Sequence, residues 1–105
     1  MKENLMIPRE LDGAKVIMYL ENRESNNFGF VRYEDHDEII TGIAITKYEN
    51  DHWYYVFDCD LNWNVIGDTL HYSMDEAIEC VKNSYNIKEK ELIWKRPNMS
   101  LNEEF

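Results

Sequence analysis

Between residues 14 and 72 several runs show apolar and polar positions at a period of two, and from residue 73 to residue 85 apolar positions recur in threes and fours. The first period is that of a strand with two unlike faces, the second that of an amphipathic helix. Five strand-like runs are visible: AKVIMYLEN, NFGFVRYE, IITGIAITKYE, HWYYVFDCDLN and VIGDTLHY. Polar segments separate them, including Glu24-Ser25-Asn26-Asn27, Glu34-Asp35-His36-Asp37-Glu38 and Glu49-Asn50-Asp51. In the first run the alternation predicts Val16, Met18 and Leu20 on one face and Ile17 and Tyr19 on the other. In the fourth, Trp53, Tyr55, Phe57 and Cys59 alternate with His52, Tyr54, Val56, Asp58 and Asp60. Gly67 and Asp68 inside the fifth run predict a bulge or twist.

The helix has the clearest signature. Ser73 stands at the N-cap with Glu76 three residues later, the capping-box spacing. Asp75 and Glu76 place negative charge in the first turn, where the helix dipole favours it. Met74, Ala77, Ile78, Val81 and Tyr85 form one apolar stripe. Asn86 is the expected C-cap, since Asn tolerates the left-handed conformation. After the helix, ELIWKR predicts a last short strand that Pro97 ends. Before the first strand, Leu5, Met6 and Ile7 form a short apolar run that Pro8 stops.

Five hairpin-spaced strands before one helix predict an α+β fold: an antiparallel β-meander sheet of about five to six strands, with one helix (about 73–86) packed on one face. The chain of 105 residues is expected to form a single domain, with 1–12 and 97–105 as loose termini. A meander alternates its turns between the two ends of the sheet. The 34–38 turn and the 59–64 turn therefore fall at the same end.

Charge gives that geometry a meaning. The formal net charge is −10, with 21 acidic against 11 basic side chains. Such a balance argues against direct contact with a nucleic-acid backbone, which needs clustered Lys and Arg. It favours fast association with basic partners. Glu34, Asp35, Asp37, Glu38, Asp58 and Asp60 are expected to converge on one sheet edge, with Trp63 projecting beside them. These seven residues are the predicted partner-binding set. Clustered like charges repel, a cost that a basic partner relieves.

Other chemistry is poorly supported. Asp58-x-Asp60-x-Asn62-x-Asn64 has the alternation of a calcium loop, but Trp63 and Thr69 stand where that loop needs Gly and Glu. A strand running into a polar turn explains it as well. His36, His52 and His71 lack zinc-ligand spacing, although His52 and His71 are expected as cross-strand neighbours. Asp58 and Asp60 flank Cys59, which suppresses its thiolate. Cys80 stands mid-helix, and both cysteines are expected to be reduced. No Gly-rich phosphate loop is present. The expectation is therefore a non-enzyme without cofactor or metal, and nothing in the sequence points to a small-molecule ligand. No apolar run is long enough to span a bilayer, and the N-terminus lacks the apolar core of a signal peptide, so a cytoplasmic location is expected.

The succession of an aromatic strand, the Asp60-Leu61-Asn62-Trp63-Asn64 turn, a second strand and the Ser73…Glu76-Ala77 helix start is similar to the small acidic immunity proteins of bacterial polymorphic and contact-dependent toxin systems. The resemblance covers about residues 52–96. It implies a cytoplasmic inhibitor that binds a basic toxin domain, often a nuclease, and blocks its active site. Two other expectations stand beside it. One is a phage- or plasmid-type nucleic-acid mimic acting on a host protein. The other is a structural or dimerising module that pairs through an edge strand.

Overall fold

The computed structural model of this protein describes residues 6–97. Its strands are β1 (Glu10–Leu11), β2 (Ala14–Leu20), β3 (Gly29–Arg32), β4 (Asp37–Ile40), β5 (Gly42–Lys47), β6 (Tyr54–Cys59) and β7 (Val65–His71). One helix, α1 (Met74–Ser84), follows. A 3-10 turn (Glu89–Glu91) is the last element among the described residues. The fold is α+β. A curled antiparallel sheet has the order β1-β2-β5-β6-β7, and β3 and β4 form a separate two-stranded sheet.

The simple meander is thus interrupted. The run IITGIAITKYE divides between two sheets: β4 pairs with β3, and β5 pairs with β2 and β6. Eleven residues are long for one strand, and a glycine inside the run marks the point of transfer. Thr41, between the two strands, donates its N–H to Cys59 at 2.9 Å and accepts from the Arg23 N–H at 2.9 Å. The β3–β4 hairpin is therefore an excursion from the end of β2 to the start of β5.

Apolar residues fill both faces of the large sheet. On one, Ala14, Val16, Ala44, Phe57 and Cys59 lie beneath Ile7, Leu11 and Trp63. On the other, Leu20, Ile43, Ile45 and Val56 lie beneath Phe28 and Ile40 of the hairpin and Ala77 and Val81 of α1. The alternation along β6 falls as expected, with Tyr55 and Phe57 on one face and Tyr54 and Val56 on the other. Along β2 it does not. A bulge between Val16 and Met18 inserts Ile17. Val16 consequently joins the face opposite Met18 and Leu20. The bulge expected near Gly67 is present, where Asp58 pairs with Gly67 but Cys59 pairs with Val65.

Ahead of β2, the side chains of Ile7 and Leu11 are buried and β1 pairs with β2. Leu5 and residues 98–105 lie outside the described residues. ELIWKR is no strand: Leu92 and Trp94 pack against the helix-side core, and among the described residues its one bridge to the sheet is Lys95, which exchanges two 2.8 Å backbone hydrogen bonds with Tyr19. At the helix start the Ser73 hydroxyl accepts from the Glu76 N–H at 3.1 Å. Glu76 reaches back to the Tyr72 N–H at 3.0 Å, one residue beyond the expected partner. The C-cap is Tyr85, in an extended conformation. The Asn86 N–H is committed to the Phe28 carbonyl at 3.0 Å.

Trp63 does not project. It is 4% exposed and adopts a left-handed φ of 64° in the β6–β7 turn. Its ring meets Tyr19 edge to face at 5.7 Å and lies over Gly42. The Asp60 carboxylate closes the turn, accepting from the N–H groups of Asn62 and Asn64, each at 2.9 Å, and from Asn64 Nδ2 at 3.1 Å. A β-carbon at residue 42 would stand 2.8 Å from the indole and 2.7 Å from Asn22 Nδ2. Both neighbours would have to shift, and overpacking of this kind costs about 1–3 kcal/mol. Gly42→Ala is expected to lower stability by about that amount in urea unfolding. An unchanged midpoint would show that the indole does not depend on this close approach.

Candidate protein-binding surface

The predicted acidic edge divides into an exposed part and a buried part. Glu34, Asp35 and Asp37 are exposed and Glu38 is half-buried, all on the tip of the β3–β4 hairpin. Asp58 and Trp63 are buried inside the sheet, and Asp60 is committed to its turn. The structure brings together four of the seven predicted residues.

Local chemistry shapes the tip. His36 Nδ1 lies 2.7 Å from Asp35 Oδ1, and its Nε2 lies 3.0 Å from Glu38 Oε2. The imidazole stacks on Tyr33 with centroids 5.1 Å apart. Arg32 faces Asp37 across the strands at 3.6 Å. Carboxylates on both sides of one imidazole favour its charged form. The hydrogen bonds to Asp35 and then Glu38 raise the His36 pKa above its ordinary value. With a raised folded-state pKa, the clasp adds stability fully only below the unfolded value. That contribution fades as pH rises through the folded value.

The hairpin presents an apolar pair to solvent. Phe30 and Ile39 are cross-strand partners, 50% and 47% exposed. Arg32 lies over the Phe30 ring at 5.4 Å. The opposite face of the hairpin is the docked one. Phe28 and Ile40 are buried, and Val31 packs against the bulge at Gly67. The Tyr33 hydroxyl donates to the Ile66 carbonyl. Phe30 and Ile39 were not foreseen as surface residues. Reading NFGFVRYE as a strand of the main sheet assigns its second face to a neighbour that the hairpin lacks.

Asp58 lies beneath this hairpin. Its carboxylate accepts from the Tyr85 hydroxyl and sits against Gly67. Burial raises its pKa, and the Tyr85 hydrogen bond only partly offsets this. Burial, followed by Asp58 and Asp60, likewise raises the Cys59 thiol, which is inert as a nucleophile. Cys59 and Cys80 are both free. His71 pairs across the strands with Tyr54, not His52, and its Nε2 lies 2.8 Å from Thr69 Oγ1. His52 packs on Trp53 instead, at 6.5 Å.

A second exposed patch lies on the outer face near the free edge of the sheet. Trp53 and Tyr72 meet edge to face at 5.0 Å, and Leu70 is 44% exposed on β7. Among the described residues no helix is long and apolar enough to cross a membrane. No family model, curated protein or solved structure matches this chain.

Two titrations check the electrostatics. The His36 ring, followed by NMR, is expected to titrate above the ordinary value of about 6.5, and Asp35→Asn with Glu38→Gln should return it there. A wild-type midpoint at the ordinary value would mean that the clasp does not form in solution. For Asp58 the raised folded-state pKa means stability present below the unfolded value and lost as pH rises through the folded one. Asp58→Asn has no such loss. Its stability relative to wild type is expected to increase from acidic to neutral pH, and a difference independent of pH would contradict the buried, raised carboxyl.

Proposed function

We propose that this chain is a non-enzymatic binding protein of the immunity type, which neutralises a basic toxin domain through its β3–β4 hairpin. The observation that carries the reading is the combination on one projecting element: an acidic tip at Glu34, Asp35, Asp37 and Glu38 beside the exposed Phe30–Ile39 pair. Acidic groups at the rim steer encounter with a basic surface, and desolvated apolar side chains hold the complex once formed. The two kinds of group lie side by side here, as charged rim and apolar centre do in protein interfaces.

Physical economy supports the same assignment. A two-stranded hairpin is marginal by itself and needs a surface to rest on. This one rests on its Phe28–Val31–Ile40 face, which leaves Phe30 and Ile39 unused by the fold. Trp53, Leu70 and Tyr72 offer a further apolar contact for a partner that reaches the free edge of the sheet. Asp58, Asp60 and Trp63 are left out of this reading: Asp58 and Trp63 are buried, and the Asp60 carboxylate closes the β6–β7 turn.

The test is to co-express this chain with the C-terminal domain of whatever protein the gene immediately upstream encodes, followed by co-purification and stopped-flow association; an unrelated neighbour and no complex would remove the immunity reading. With Glu34, Asp35, Asp37 and Glu38 replaced by Gln or Asn, association is expected to slow by about tenfold at low salt and to lose most of its salt dependence. Phe30→Ala should instead speed dissociation, because apolar anchors act mainly after encounter. Unchanged kinetics in both variants would remove the hairpin from the interface. A salt-insensitive homodimer in sedimentation would favour the edge-pairing module instead.

A further inference from the structure

Among the described residues, the acidic chain forms a basic concavity. A groove of about 790 Å³ runs along the outer edge of β2, and four cationic side chains line it: Arg9, Lys15, Lys47 and Arg96. They come from four separate segments, ahead of β1, on β2, on β5 and beyond the 3-10 turn. Only Glu10 and Glu49 oppose them in the lining. In a chain of net charge −10, a lining in which Lys15, Lys47 and Arg96 outnumber the two carboxylates reverses the sign locally.

Three structural details concern this groove. Lys15 and Lys47 are direct cross-strand partners. Like charges directly opposite one another destabilise a strand pair, so the arrangement carries a cost that a bound anion removes. Among the described residues, neither Lys15, Lys47 nor Arg96 lies within ion-pair distance of a carboxylate; the Lys47 ammonium donates to the neutral Asp51 carbonyl at 2.6 Å. The β2 bulge falls in the groove floor, where it brings half-buried Ile17 into the lining. Bulges commonly re-aim side chains beside binding sites.

We infer that this groove is a binding site for a small phosphorylated molecule, held between Lys15, Lys47 and Arg96. The volume lies within the roughly 300–1,000 Å³ of small-ligand pockets. Lysine ammoniums act as point charges toward phosphate, and a guanidinium grips two phosphate oxygens at once. A ligand with two linked phosphoryl groups presents one phosphate to the cross-strand lysine pair and leaves the second for Arg96, which lines the same groove. The site is independent of the hairpin, so it stands or falls apart from the inhibitor reading.

Pyrophosphate is the probe, titrated into the full ¹⁵N-labelled chain at constant ionic strength. Saturable shifts are expected at the amides of Lys15, Ile17 and Lys47, with weaker saturation by inorganic phosphate. The exposed pair Lys15→Gln/Arg96→Gln, which removes no described hydrogen bond, should weaken binding by about tenfold or more. Arg32→Gln, on the hairpin, should leave it unchanged. Absent shifts, shifts reproduced by chloride at the same ionic strength, or a double variant that binds like wild type would each overturn the assignment. So would tighter binding of a glutamate-rich peptide at the same amides, which would make the groove a docking site for an acidic polypeptide.

Discussion

One close approach governs how this chain divides between its sheets. The Trp63 indole lies on the backbone of Gly42, where any side chain would collide with it. That contact lets a large aromatic cap the end of the sheet just where β5 begins. It also fixes the point at which the chain leaves the hairpin and enters the large sheet. Phe57, Cys59 and Ala44 then share their core with the indole. Trp63 accepts an uncommon left-handed backbone in return for full burial, and the Asp60 carboxylate holds the turn in that shape.

The acidic surface follows from this division. Once β3 and β4 are displaced from the main sheet, their turn is carried outward with its four carboxylates, and their second face needs a cover. Val31 and Ile40 find one on the helix-side core, and Arg23 ties the hairpin base to the far end of the helix. It donates to the Asn86 carbonyl at 3.1 Å, pairs with Glu91 at 3.4 Å and lies over Phe28 at 3.9 Å. The hairpin therefore has a fixed inner face and an unspent outer one. Under it, Asp58 and Tyr85 join the sheet to the end of α1. The same displacement that exposes Phe30 and Ile39 places a carboxyl in the interior.

Periodicity made the elements legible but not their partners. The helix, the two-faced β6 and the bulge near Gly67 could all be read, because each depends on neighbours a few residues away. The pairing of β2 with β5 depends on contacts across more than twenty residues, and alternation is the same whichever strand lies alongside. Trp63 shows the limit clearly. A tryptophan between two asparagines at a turn reads as a projecting residue unless the glycine at 42 is known to lie beneath it. Ile17 shows another: a single inserted residue in β2 reverses the facing of Val16, and nothing in AKVIMYL announces it. The exposed acidic residues at 34–38 were legible because a charged turn stays at the surface in either topology.

Charge is distributed by the same topology. β5 starts at the hairpin's end of the sheet and finishes at Lys47, about 17 Å away at the rise of an extended strand. The hairpin docks on β7, at one edge of the sheet, and the groove follows β2 near the other. The acidic tip and the basic groove thus occupy opposite corners. A uniform excess of acid would repel anions everywhere on such a small domain. With the two segregated, the groove cations are not averaged into the acid of the tip, since exposed charges separated by more than about 8–10 Å are largely screened from one another at physiological salt. The four groove cations are scattered from Arg9 to Arg96 in the sequence, so only the folded chain assembles them. Net charge describes the first corner and conceals the second.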